Sequence, residues 1–406
     1  MGERTDTLTI GERVAWYRRR RGLSQEVLAG LIGRTADWLG KIENNRIELD
    51  RLSVMKSLAE VLEVSLGDLL GEPSLVARTG GSSTGSVPAL RTALMNYRVF
   101  APLGDTAARP LSIPLLWQEL SSLWSAYQDS RFGWVTARLP DLLQHSQAAV
   151  DHHDGIEQDQ ARRLLGLAYQ LAATQLTKLG ERDLAWIAAD RGLAAVHATG
   201  DPVVIGSLFR SVGHALHAIG RYAEAVRLTE HAAEYLTPHL RHPTPALLSV
   251  YGTLYLSGSM AAARAEDAAT TRAFLTAAGQ AAARLGTDAN HLWTAFGPTN
   301  VAIHRVAAAA ELGDIQVAVD LGPRVDTSGL PMERRVRHAL EVARAYSAWN
   351  RLDDAQAVLL EAERMAPQQV QHHFLSRQLT LTWIRRQRGK PSAPLVALAR
   401  RLRVLD

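Results

Sequence analysis

The 406-residue chain has no cysteine. This excludes disulfides and thiolate metal sites and suits a reducing cytoplasm. Lysine is nearly missing, four residues against 41 arginines; together with abundant alanine, this points to a GC-rich bacterial genome. No stretch approaches the roughly 20 apolar residues of a membrane span. The opening MGERTDTLTI also lacks the apolar core of a signal peptide. The expectation is a soluble, cytoplasmic protein with no membrane contact. Catalytic signatures are missing too: there is no Gly-rich phosphate loop, nucleophile elbow or His-Glu-x-x-His motif. Ser53-x-x-Lys56 occurs inside an expected helix and reads as structural. The chain is therefore not expected to be an enzyme or to need a cofactor.

Hydrophobic residues make up 47% and charged residues 21%, enough to build cores rather than a disordered chain. The length implies two or three domains. The organising stretch is LSQEVLAGLIGRTADWLGKIENNR, Leu23 to Arg46. Ser24 caps a short helix whose Val27, Leu28, Leu31 and Ile32 recur at helical spacing. Gly33 suits the left-handed turn that ends it. Thr35 caps a second helix with Trp38, Leu39 and Ile42 inward and Asp37, Gly40, Lys41 and Asn44 outward. Two helices joined through such a turn form a helix-turn-helix, whose second helix enters a DNA major groove.

The segment from about Ile10 to Leu70 resembles the helix-turn-helix domain of phage repressors and their bacterial xenobiotic-response-element (XRE) relatives. Gly22-Leu23-Ser24-Gln25, Leu28-Ala29, Gly33, Ile42-Glu43 and Val64-Ser65-Leu66-Gly67-Asp68-Leu69-Leu70 carry the likeness, over about a sixth of the chain. The resemblance implies five helices, a phosphate contact from Gln25, base-facing Thr35, Ala36, Asp37 and Lys41, and an internal Arg18–Glu43 pair. Ala36 and Asp37 replace the family's adenine-reading amides, so no operator sequence carries over. Alanine can touch a thymine methyl, Asp can accept from cytosine and Lys can donate to guanine. Ser24, Arg34, Asn45 and Arg46 complete the candidate DNA-contacting set, with Arg19, Arg20 and Arg21 as backbone contacts. Trp38 reads as core. Residues 1–71 hold eleven basic and eleven acidic side chains, so clustering rather than net charge must supply the DNA footprint.

The Gly- and Ser-rich stretch over 72–89 reads as a flexible linker that lets the head reorient. From 90 to 406 no strand is expected. Phe209-x-x-Val212-Gly213-x-x-Leu216, then Ala218-Ile219-Gly220-Arg221-Tyr222-x-x-Ala225, Ala232 and Pro238, is similar to a tetratricopeptide repeat. Copies centre on breaks at 180, 220, 266, 313 and 350, which are spaced more widely than that repeat's period. The fold expected is all-α: a five-helix lambda-repressor-like domain linked to an α-solenoid of degenerate hairpins with a concave groove.

In tetratricopeptide repeats the first helix of each pair lines the groove. That resemblance assigns Gln170, Thr174, Thr177, Arg210, His214, His217, Asn300, Arg337, Arg344 and Ser347 to it. The arginines would suit a carboxylate or a peptide backbone, or else these are solvated helix faces. His214 and His217 lie three apart, but no acidic third ligand is in register and no metal is expected. The segment Asp288 to Asn300, with Asn290, His291 and Trp293, reads as a packed connection or a ligand element. The reading is a sequence-specific DNA-binding transcriptional regulator. As a homodimer it would bind an inverted-repeat operator, its body sensing a peptide or an anionic small molecule. The alternative is an interaction scaffold whose groove holds a protein partner.

Overall fold

Thr9 starts the first helix with a reciprocal cap. Its hydroxyl accepts from Glu12 N at 3.1 Å, and Glu12 Oε2 accepts from Thr9 N at 2.9 Å, satisfying two N–H groups the helix leaves unpaired. The computed structural model describes residues 8–49, 51–64, 66–70, 86–95, 111–386 and 390–405. The head comprises α1 (Ile10–Arg20), α2 (Gln25–Leu31), α3 (Ala36–Glu43), α4 (Leu52–Leu62) and α5 (Leu66–Leu70). Ile10, Val14, Leu28, Leu39, Ile42, Met55, Leu58, Leu62 and Leu69 form its core. Ser65, one of the residues that carry the family likeness, lies outside the described residues, as does most of the expected linker. The linker's end does not stay loose: Ser86 to Ala89 are the first turn of α6 (Ser86–Met95).

Helical hairpins follow. They pair α7 (Ile113–Gln128) with α8 (Phe132–His152), α9 (Gly155–Lys178) with α10 (Arg182–His197), and α11 (Pro202–Ala218) with α12 (Tyr222–Leu236). The series goes on with α13 (Pro245–Arg264) and α14 (Ala268–Leu285), α15 (Pro298–Leu312) and α16 (Ile315–Leu321), and α17 (Met332–Ala348) and α18 (Leu352–Met365). Short α19 (Pro367–His372) leads to α20 (Phe374–Arg386) and α21 (Ala393–Arg401). All five expected breaks fall on left-handed residues: Gly180, Gly220, Glu266, Gly313 and Asn350, with Ser130 adding one upstream. At Gly220 the reversal closes with Arg221 N donating to Leu216 O at 2.9 Å, and the same closure recurs after Gly180, Gly313 and Asn350. Among the described residues there is no strand, only an isolated bridge between Ala289 and Phe296.

The chain divides into two units. One holds residues 1–73, 263–268 and 302–406; the other holds 74–262 and 269–301. The second unit's core runs from Leu90 through α7 to α11. Its helices approach closely where side chains are small. A Cβ on Gly166 of α9 would lie 2.1 Å from Val196 Cγ1 of α10. Among the described residues one helix, Pro245–Arg264, is long and apolar enough to cross a membrane, and 78% of its most apolar window is buried within the protein.

Candidate DNA-contacting face and repeat groove

The second helix of the pair, α3, begins where Thr35 accepts from Trp38 N at 3.2 Å. Thr35 and Asp37 are exposed, Ala36 is half-buried, and Lys41 is exposed one turn on with its ammonium 2.6 Å from the Asp37 carboxylate. Leu39 and Ile42 point into the head core. A buried pair fixes this helix: Arg18 donates to both Glu43 oxygens at 2.6 and 2.8 Å and to Leu23 O at 2.7 Å. That bidentate hydrogen bond holds the Arg18 guanidinium above its ordinary pKa against the opposing cost of burial. The pairing is the one the family resemblance implies. Gln25 joins it by donating to Glu43 Oε2 at 2.8 Å, so its side chain braces α2 against α3.

Other members of the candidate set divide by environment. Arg19, Arg34 and Arg46 are exposed. Arg20 is exposed and lies 5.2 Å over Trp16, and Arg34 lies 5.6 Å over Trp38, which is half-buried against the core. Ser24 is spent as the α2 cap, accepting from Val27 N at 3.1 Å. Arg21 instead braces α4, donating to Val61 O at 2.5 Å and Glu63 at 2.7 Å. Asn45 ties α3 to α1, accepting from Thr9 Oγ1 at 2.7 Å. The apolar face read on α2 is narrower than its spacing suggested. Leu28 is buried, but Val27 and Leu31 are 49% and 61% exposed, because the two-helix contact is short.

Within its own unit the head also meets the last repeats. Glu48, in the loop after α3, accepts from Ser347 Oγ of α17 at 2.6 Å and Arg386 Nη1 of α20 at 3.3 Å. Ser347 Oγ in turn accepts from the buried Trp383 Nε1 at 2.7 Å. Arg385 pairs with Glu12 at 3.2 Å, Ile10 N donates to Gln378 at 3.2 Å, and Arg51 donates to Glu311 O and Glu266. Side chains thus join the head to these repeats within the unit. Sequence reading missed Glu48, Arg51, Gln378 and Arg386, since each has its partner hundreds of positions away.

The expected groove residues are mostly engaged. Gln170 is fully buried, donating to Ser207 Oγ at 2.7 Å and Ser207 O at 3.1 Å, so it joins α9 to α11. Thr174 donates back to Gln170 O at 2.8 Å. Arg210, His217 and Asn300 are buried, and the His214 and His217 rings lie 6.2 Å apart. Arg344, expected to meet an anionic ligand, is buried between Glu341 at 2.8 Å and Glu311 at 3.3 Å, and Arg337 sits 3.7 Å from Glu341. Burial opposes the Glu341 charge. Arg344, Arg337 and Arg264 overcome that cost and hold its carboxyl below the ordinary range. These arginines neutralise glutamates of their own unit. Among the described residues no three acidic or histidine side chains cluster as a metal site.

Segment 288–300 reaches furthest. It runs from the end of α14 back to the end of α7. There Trp293 stacks on Trp124 at 5.0 Å, the planes within 8°. Asn290 and Gln128 exchange two hydrogen bonds at 2.8 and 3.0 Å, and Gln128 also donates to Trp293 O at 3.3 Å. Leu292, Trp293 and Ala295 are all left-handed, at φ 45°, 54° and 47°, costing roughly 1–2 kcal/mol per residue. The strap's far end is anchored by fully buried Phe296, whose ring fills the space beside Gly252.

Residues 9–72 match a helix-turn-helix domain family. The head is a helix-turn-helix domain. The hairpins behind it are tetratricopeptide-like, with the Gly-Arg-Tyr reversal at Gly220 as their clearest copy. Among curated proteins none matches the chain in sequence. Of solved structures, a Rap protein complexed with competence and sporulation factor is 12% identical. It has a TM-score of 0.44 and covers 90% of this chain and 99% of its own. BtubC from P. vanneervenii gives 14%, 0.39, 56% and 90%. PlcR of Bacillus thuringiensis, solved with a peptide and DNA, gives 15%, 0.29, 68% and 95%.

Proposed function

We propose that this protein is an XRE-type, sequence-specific DNA-binding transcriptional regulator. It acts as a homodimer on an inverted-repeat operator, with a helical-repeat body that senses a small effector. The observation that carries the reading is the exposed row Thr35, Asp37 and Lys41 on α3, set on a scaffold locked by the buried Arg18–Glu43 pair. Such a helix offers a donor and an acceptor to base edges, with exposed Arg34 and Arg46 flanking it in the chain and exposed Arg19 on α1 for phosphates. Two heads would read half-sites about 34–36 Å apart. The effector would act by binding better to one of two head arrangements, which the Glu48 and Arg51 contacts help to define.

The test is selection of genomic fragments by the purified full chain, sequenced at two salt concentrations. Enrichment of a turn-spaced inverted repeat supports the reading. Lys41→Ala should then lose about 1–3 kcal/mol of affinity for the selected site, roughly 5- to 150-fold, with an unchanged thermal midpoint. No enrichment at low salt would refute the operator reading and favour a scaffold role.

A further inference from the structure

The strap over 288–296 has the features of an occupant rather than of a plain connection. A chain joining α14 to α15 has no need to travel to α7, nor to hold three non-glycine residues left-handed on the way. What it delivers there is specific: one indole stacked on Trp124, one carboxamide exchanging bonds with Gln128, and one main-chain carbonyl accepting from Gln128. The receiving surface belongs to α7, the first helix of its pair, which in tetratricopeptide-like hairpins is the groove-lining one. Trp124 is 2% exposed, and its indole N–H is buried with no acceptor among the described residues. Burying that donor unmade is costly.

We propose that Trp124 and Gln128 form a binding subsite for a short peptide carrying an aromatic side chain, and that Asn290–Trp293 fills it as a tethered stand-in until such a peptide displaces it. A peptide offers the same three groups as the strap, an aromatic face, a side-chain or terminal amide and backbone carbonyls, without the left-handed backbone the tether imposes. Leu292 packs on the same core and Thr294 to Phe296 are buried, while Asn290 and His291 are exposed. Release therefore breaks one stack, the hydrogen bonds with Gln128 and the Leu292 contact. The inference builds on the effector-sensing half of the proposed function and is independent of whether the head binds DNA.

The probe is a synthetic capped peptide with this chain's own strap sequence, residues 288–297, titrated by calorimetry into the full-length protein without DNA. A tethered competitor acts at an effective concentration near the millimolar range. Wild-type protein should therefore bind weakly, and Trp293→Ala should bind at least tenfold more tightly. Adding Trp124→Ala, or replacing the peptide's own Trp by Ala, should abolish binding. Equal affinity in wild type and Trp293→Ala, or no binding to a Trp293→Ala protein with native circular dichroism, would overturn the proposal. Should Trp293→Ala not fold, Asn290→Ala provides the test. It must raise amide exchange across 288–296 and tighten the peptide, and failure of either refutes the subsite. Peptide binding together with a failed operator selection would keep this site and remove the regulator reading.

Discussion

Replacing Glu43 by alanine tests the lock that holds the DNA-facing helix. The Arg18 and Glu43 side chains are 10% and 3% exposed, so the variant strands a guanidinium inside the head. It also removes the acceptor for Gln25 Nε2. Breaking one partner of a buried ion pair costs about 3–5 kcal/mol. A folded head of this size has about 3–9 kcal/mol to lose, at 0.05–0.15 kcal/mol per residue. Glu43→Ala should therefore consume most of the head's stability. Followed by hydrogen exchange and mass spectrometry, protection in α1, α2 and α3 should fall by roughly two to four powers of ten. Exchange in α9 and α11 should not move. Arg18→Met combined with Glu43→Leu should recover most of the loss, because removing both charges removes the desolvation cost as well. A Glu43→Ala protein whose α1–α3 protection changes by less than tenfold would refute the argument that this pair sets the pose of α3.

Other perturbations follow from single contacts. Ser347→Ala removes both the acceptor of buried Trp383 Nε1 and a donor to Glu48. It should cost about 1–3 kcal/mol and raise exchange in α20 and in the loop after α3; an unchanged urea midpoint would count against this network. Gly166→Ala forces a Cβ to 2.1 Å from Val196 Cγ1, whereas at Gly213 the nearest group is Ser257 Oγ at 3.6 Å. Thermal melts should show Gly166→Ala losing about 1–3 kcal/mol and Gly213→Ala neutral or gaining up to about 1 kcal/mol of helix propensity. His338 is buried with Nε2 donating to Gly322 O at 2.9 Å, and burial keeps its pKa below the ordinary value despite that bond and nearby Glu341. The unfolded chain then takes up a proton near pH 6.5 that the folded one refuses. Stability should hold above that pH and decline below it until the depressed folded pKa is passed. Urea midpoints at pH 7.5 and 5.5 should differ less in His338→Asn than in the wild type, and equal differences would exclude His338 as a source.

What the sequence by itself determined is local. Caps at Ser24 and Thr35, the reversals at Gly180, Gly220, Gly313 and Asn350, and the helical spacing of apolar residues depend on neighbours within a few positions. A one-dimensional reading therefore finds them. The Arg18–Glu43 pair also yielded to sequence, through family resemblance rather than spacing. The groove was legible only as a row of helix positions. Whether Arg344 faced a ligand or Glu311, and whether Gln170 faced solvent or Ser207, depends on which helix packs opposite, and repeat spacing carries no term for that. Only the tertiary structure decided that Glu48 meets Ser347 and Arg386, or that Trp293 crosses to Trp124. Those contacts join residues about 170 to 340 positions apart. Their energy comes from burial and hydrogen bonding once the repeats have stacked, so nothing in the intervening chain announces them.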